Sequence, residues 1–300
     1  MPTTAEICQV LDTLSDYERE HFLRLLRNAA GGARFWETGV ATVYNQYVKT
    51  RSNSDLYSAS FDPSAAGGIF APIPITKTYP AAQRVFLPPP GSPTGSLEGI
   101  LRSRRSRREG GGTPITQLTL STLLHHSGGT TGITAGYGYE RLPLRSFPSC
   151  GGLQSPEIYL SVQEVSDLAT GIYHYEVQQH VLELMHEGNH GHAMSKIALD
   201  QGFVEKSAVV LIITGSFERL RWKYGERAYR YMCVDVGCLT QNLYLVGEAL
   251  GLGVCAMAGF VDDAVEHLLG ADGEDELALL LVTIGAPVSG AIHGDAVPDR

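Results

Sequence analysis

Five arginines crowd into seven residues: Arg102, Arg104, Arg105, Arg107 and Arg108, with Ser103 and Ser106 between them. A guanidinium fork gives phosphate two parallel hydrogen bonds, and a serine hydroxyl adds a further donor. The run therefore has the chemistry of a phosphate grip. A basic run can also bind nucleic acid, but such a surface interleaves more basic and aromatic residues. Here the chain continues Glu109-Gly-Gly-Gly-Thr-Pro-Ile-Thr-Gln. A single phosphate-bearing ligand suits the cluster better.

Two other groupings could do chemistry. His186-Glu187-Gly188-Asn189-His190 has the H-E-x-x-H spacing in which two histidines one helical turn apart hold Zn²⁺ and the glutamate acts as base. Gly188 and Asn189 weaken the helix that this requires. Ala193 and Lys196 stand where the extended zinc-peptidase pattern needs Gly and His. The segment reads as polar surface between a hairpin and a helix, with no metal expected. Lys223-Tyr224, within Trp-Lys-Tyr-Gly-Glu-Arg, sets an ammonium beside a phenol. The cation lowers the phenol pKa, whereas desolvation would lower that of the lysine, so either could be a base.

These residues need elements to position them. Ser15 and Glu18 form a capping box ahead of a helix that stops near Gly31-Gly32, and a second helical stretch follows around 37–51. Residues 52–96, rich in Ser, Gly and Pro, read as an extended strap with few contacts of its own. A short helix is expected over 115–124. A half-buried strand is expected over 157–165, where Ile158, Leu160 and Val162 alternate, and it pairs across a turn at 167–171 with 172–175. The apolar runs 208–214 and 277–284 read as buried strands, the first of them central. Val236, Leu239, Leu243, Val246 and Leu250 mark a helix over 234–250, ended by Gly251 and Gly253. The pattern is α+β: a mainly antiparallel central sheet flanked by helices. It divides into a helical and extended arm, 1–95, and a denser domain, 96–300.

Several motifs together resemble the nitroreductase superfamily. Arg104-Arg105-Ser106-Arg107-Arg108 is similar to the signature that opens its flavin domain. The resemblance implies that Arg104, Ser106 and Arg108 hold the phosphate of FMN, with Arg105 close by. The family's aromatic residue shortly after is replaced by Gly110. Pro148-Ser149-Cys150-Gly151-Gly152 resembles the segment that lies along the flavin ring, where small residues let backbone come close. Gln241-Asn242-Leu243 and the later Gly251-Leu252-Gly253 resemble the long dimer helix and its turn. Ala256-Met257-Ala258-Gly259-Phe260 sits where relatives pass backbone by the flavin, with Ala258 in place of an acidic residue. The matches keep their order across 102–285. They imply a nitroreductase-like FMN-binding sandwich, a domain-entwined homodimer with flavin at its interface, and cofactor contacts from Arg104, Arg105, Ser106, Arg108, Pro148, Ser149, Cys150, Gly151, Gln241, Gly253, Ala258 and Gly259.

Within the superfamily the chain resembles the SagB-type dehydrogenases, the azoline oxidases of thiazole and oxazole peptide pathways. That resemblance implies Lys223 and Tyr224 as the catalytic pair. Aromatising a thiazoline or oxazoline removes a hydride and a proton, and the proton needs a base. The expected substrate is an azoline on a peptide or carrier-bound intermediate, with O2 as acceptor and a cyclodehydratase or assembly-line enzyme as partner. Another FMN-dependent dehydrogenation, an NAD(P)H-dependent nitro or quinone reductase, and a non-catalytic flavin scaffold are the competing readings.

Composition bounds the rest. A net charge of -9 argues against nucleic-acid or anionic-membrane binding. No apolar run has the ~20 residues needed to cross a bilayer, and the first residues lack the features of a signal peptide. Cys8, Cys150, Cys233, Cys238 and Cys255 form no C-x-x-C pair, so reduced thiols and a cytoplasmic location are expected.

Overall fold

The computed structural model describes residues 73–108 and 113–286. The chain divides into two compact units, 1–67 and 68–300, and all the described residues belong to the second. The helices expected near Ser15 and over 37–51, Cys8 and Gly110 lie outside the described residues.

The elements follow in order: β1 (Gln83–Phe86), α1 (Leu97–Ser103), β2 (Ile115–Thr116), α2 (Gln117–Gly128), β3 (Thr130–Gly136), β4 (Tyr139–Arg145), β5 (Pro156–Val162), β6 (Val165–Ser166), β7 (Gly171–Glu176) and β8 (Val181–Glu187). Then come α3 (Gly191–Ile197), α4 (Gly202–Glu205), β9 (Val209–Ser216), α5 (Glu218–Tyr224), α6 (Ala228–Ala249), β10 (Gly253–Met257), α7 (Asp262–Leu269) and β11 (Glu276–Gly285). Seven strands form one sheet in the order β1-β8-β7-β5-β9-β11-β10, every neighbouring pair antiparallel. Strands β3 and β4 form a separate hairpin that turns at Tyr137-Gly138.

Helices cover both faces of the sheet. Ile158, Leu160 and Val162 pack with Leu120, Leu123 and Leu124 of α2 and Val236, Leu239 and Leu243 of α6. On the other face Tyr159, Val210 and Ile212 meet Met194 of α3, Val204 of α4 and Val265 of α7. The second layer explains one departure from expectation: β5 is buried along its whole length, not on alternate residues. Two of its polar side chains, Glu157 and Tyr159, are paired instead of solvated. Glu157 meets Arg219 and His174, and Tyr159 donates to Glu276 at 2.8 Å.

Two further differences concern boundaries. The strap is not without contacts of its own, because β1 pairs with β8 and becomes an edge of the main sheet. Helix α6 begins six residues before the expected start at 234. Ala228 and Met232 extend it by packing into a small cluster with Leu142, Leu153 and Leu220. Strand β9 is central and fully buried, as its apolar run predicts. Among the described residues no helix is long and apolar enough to cross a membrane.

Candidate active site

Helix α1 starts at Ser96, whose hydroxyl accepts from the backbone N–H of Gly99 at 3.1 Å, and stops at Arg104. The chain then runs extended beside β10, where Arg107 N–H donates to the Val254 carbonyl at 2.9 Å. This geometry sorts the arginines. Arg102 pairs with Glu98 at 3.9 Å and Arg107 with Glu248 at 3.3 Å. Arg105 donates to the carbonyls of Arg102 and Arg104 at 3.0 and 2.8 Å. Among the described residues, Arg104 and Arg108 have no carboxylate partner. Arg104 lies over the ring of Tyr244, 5.0 Å from its centroid, and Ser106 Oγ is 2.9 Å from Tyr244 Oη. Two guanidinium groups without a carboxylate partner among the described residues, beside an exposed serine hydroxyl, are the donor set that a phosphate needs. Gly253 belongs to the same cluster: a Cβ there would stand 3.6 Å from that of Arg107. Gln241, exposed on α6, precedes Tyr244 by one turn. Ala258 and Gly259 are exposed just beyond β10.

The second cluster is built around the turn at 148–152. Asp235 of α6 is fully buried and collects its donors. Ser149 Oγ and Ser155 Oγ donate to Oδ2 at 2.7 and 2.9 Å, and Cys150 N–H donates to Oδ1 at 2.8 Å. Three donors on one carboxylate hold Pro148–Ser149–Cys150 against the helix. Gly151 follows with φ 65°, in the left-handed region where only glycine is unstrained. A Cβ on Gly151 would collide with the hydroxyl of Tyr224 and stand 3.1 Å from Lys223 Nζ. The backbone of the turn and the Lys-Tyr pair are therefore in contact. Burial and Asp235 push the Cys150 thiol up to about 12, so it stays protonated at neutral pH.

Lys223 and Tyr224 close α5, and neither is a free surface side chain. Lys223 Nζ donates to Tyr137 Oη at 2.5 Å and lies 4.1 Å from the centroid of that ring. Tyr224 packs edge-on against Tyr231, with centroids 4.8 Å apart. Burial alone would pull the Lys223 ammonium down, but hydrogen bonds to Tyr137 and Tyr224 hold it above the usual lysine range. Burial also pushes the Tyr224 phenol up, and the Lys223 hydrogen bond and charge offset this only in part. The lowered phenol expected from an adjacent cation is thus reversed by desolvation.

The two clusters hang from one helix. Asp235 and Tyr244 are nine residues apart, which is about 14 Å along the axis and about half a turn around it. The chain thus holds the arginine–serine group and the Gly151–Tyr224 group on opposite faces of α6. Tyr137, Asp235 and Tyr244 were not visible as site residues in the sequence, because each meets its partner far along the chain.

The H-E-x-x-H segment is not a helix. His186 and Glu187 end β8, Gly188 turns with φ 98°, and His190 precedes α3. His186 Nε2 meets the Leu268 carbonyl at 3.0 Å and His190 Nε2 that of Glu187 at 3.2 Å. Both ring nitrogens that would face a metal are engaged by backbone.

With this geometry in place, comparison with known proteins gives a consistent result. The Nitroreductase family profile matches residues 101–286. A Methanocaldococcus jannaschii protein, MJ1384, a nitroreductase by description, is 32% identical over 192 residues, 64% of this chain and 91% of its own. The Microcin B17-processing protein McbC of Escherichia coli is 27% identical over 146 residues, 47% of this chain and 54% of McbC. Among solved structures, an Anabaena variabilis protein, also a nitroreductase by description, superposes with TM-score 0.66 and 26% identity over 82% of this chain and 46% of its own. The matches to McbC and to the Anabaena protein span about half the length of each.

Proposed function

This chain belongs to the nitroreductase family, and from that premise we propose that it is an FMN-dependent oxidoreductase acting in the maturation of a peptide natural product. The reaction is the oxidation of an azoline ring, thiazoline or oxazoline, to the corresponding azole: azoline + O2 → azole + H2O2. The similarity to a microcin-processing protein supports a peptide substrate and the company of a ring-forming cyclodehydratase. The single observation that carries the reading is the contact of Tyr224 and Lys223 with the backbone of Gly151.

The donor sets fit FMN. Arg104, Ser106 and Arg108 would hold the phosphate, with Arg105 and Gly253 shaping that end. Pro148, Ser149, Cys150 and Gly151 would line the ring, together with Gln241, Ala258 and Gly259. Because the two groups lie on opposite faces of α6, a cofactor completed by two subunits of a homodimer accounts for both. Bound there, FMN would supply a two-electron acceptor for the ring hydride.

The protein's own part is proton removal and positioning. Tyr224 takes the ring proton when its phenol is ionised, and the Lys223 ammonium stabilises the phenolate. Tyr137 holds Lys223 in place from the hairpin tip. Packing by Tyr137, Tyr231 and Trp222 keeps the pair partly out of water, which strengthens the ammonium–phenolate attraction.

The test is mass spectrometry of a precursor peptide bearing azolines, incubated with the flavin-loaded protein in air. Loss of two hydrogens per ring is expected. No mass change, with rapid bleaching of the flavin by NAD(P)H, would instead mark a reductase.

A further inference from the structure

We propose that Tyr244 is a positioning residue that fixes the direction of the Ser106 hydroxyl, so that the serine presents its proton to the phosphate of the cofactor. This rests on the FMN reading above and adds a residue to it.

The argument is one of counting donors. Tyr244 Oη has one hydrogen to give and two lone pairs. Ala256 N–H donates to Oη at 2.9 Å, a contact whose polarity is fixed because a backbone N–H cannot accept. It is also a structural contact. Strand β10 is a sheet edge, and its outward backbone groups at Val254 and Ala256 are taken by Arg107 N–H and Tyr244 Oη. Oη is thereby held in place from the strand side. Its remaining contact is Ser106 Oγ at 2.9 Å. The phenol hydrogen has no other acceptor among the described residues, so satisfying it requires Tyr244 to donate to Ser106. The serine must then send its own hydrogen elsewhere, and Ser106 is exposed.

The result is a chain of donors, Ala256 N–H to Tyr244 O–H to Ser106 O–H, that ends pointing outward. Each link polarises the next, which strengthens the terminal donor. The same ring carries the Arg104 guanidinium over its face at 5.0 Å. Tyr244 therefore sets both a neutral and a cationic donor of the phosphate grip from one side chain. Phenylalanine would keep the ring and its hold on Arg104 while deleting the relay.

The experiment uses full-length protein stripped of flavin and titrated with FMN or riboflavin, read by quenching of flavin fluorescence. Riboflavin lacks the phosphate and is the control for ring binding. Tyr244→Phe is expected to weaken FMN about tenfold, the loss of one charge-assisted hydrogen bond, and to leave riboflavin unchanged. Ser106→Ala should weaken FMN similarly, and the double variant should be no weaker than Ser106→Ala alone, because the tyrosine acts through the serine. The proposal is overturned by unchanged FMN affinity in Tyr244→Phe, by an equal loss for riboflavin, by additive losses in the double variant, or by a Tyr244→Phe chain that does not fold. Wild-type protein that binds FMN no better than riboflavin overturns the phosphate grip itself and this proposal with it.

Discussion

The hydroxyl of Tyr224 fills the space into which a side chain at Gly151 would grow. The relation ties a backbone turn to a catalytic candidate 73 positions later, and it makes glycine at 151 a requirement twice over. Its φ of 65° costs an alanine about 1–2 kcal/mol, and the added methyl meets the phenol. Gly151→Ala is expected to keep FMN bound through its phosphate but to displace Tyr224, lowering kcat about a hundredfold. Steady-state rates and flavin content on the same preparation check it. Wild-type turnover in the variant would show that the contact has no part in the reaction.

Part of this was legible beforehand. The apolar runs of β9 and β11 and the periodicity of α6 are local signals, and the structure puts them where those signals point. The arginine cluster stood out as a candidate phosphate grip, but its division of labour did not show. The side chain of Arg107 is set apart from that of Arg108 by facing Glu248, which is 141 residues away. Tyr137 is likewise 86 residues from Lys223, and Asp235 is 86 from Ser149. Such pairings are made by the folded sheet and carry no local pattern. Strand β5 departs from its pattern for a related reason: its alternation shows one apolar face, while the other is covered by α3, α4 and α7 and paired through Glu157 and Tyr159.

The pH dependence of turnover follows from the Lys223–Tyr224 pair. Both groups are held above their usual values, so the ionised phenol is a small fraction at neutral pH. Each unit rise in pH then increases that fraction about tenfold, and kcat/KM should climb with unit slope without levelling below the ordinary tyrosine value of about 10. Tyr224→Phe and Lys223→Ala should retain flavin and lose turnover by about 10²–10⁴-fold. Tyr137→Phe removes a phenol that helps hold the Tyr224 phenol up, so the rising limb should move to lower pH. A bell centred near neutrality would point to a different base.

Asp235 should behave differently from the phosphate residues. Asp235→Asn replaces the charged acceptor shared by Ser149 and Ser155 with an NH2, so both hydroxyls must accept where they had donated and their hydrogens lose that partner. A buried donor left unpaired costs about 1–3 kcal/mol, so Tm should drop by several degrees. Because Asp235 holds the turn proposed to line the ring, riboflavin and FMN should both bind more weakly, by similar factors. Flavin titration and thermal melts measure this. A loss confined to FMN would mean that the turn does not meet the ring.

The last prediction concerns the buried charges beneath the sheet. His174 is fully buried, with Nδ1 3.0 Å from Glu183 and Nε2 3.3 Å from Glu157. Burial would lower its pKa, but hydrogen bonds to the two glutamates raise it above the usual value. Glu157 is opposite in sign: burial acts to raise it, yet Arg219 and His174 bring it down to about 2. The signs define a window. The unfolded histidine releases its proton near 6.5 while the folded one keeps it, so the stability from His174 is complete below 6.5 and is lost as pH rises through its folded value. The stability from Glu157 is present above about 4.5 and is lost as pH falls towards 2. His174→Gln removes the cation that both carboxylates share. Breaking a buried pair in this way costs about 3 kcal/mol, which for a chain of this size lowers Tm by about 5 °C. The variant should also lose the alkaline decline of stability while keeping the acid one. Chemical denaturation at a series of pH values separates the two limbs. An alkaline decline that survives in His174→Gln would assign that limb to another group.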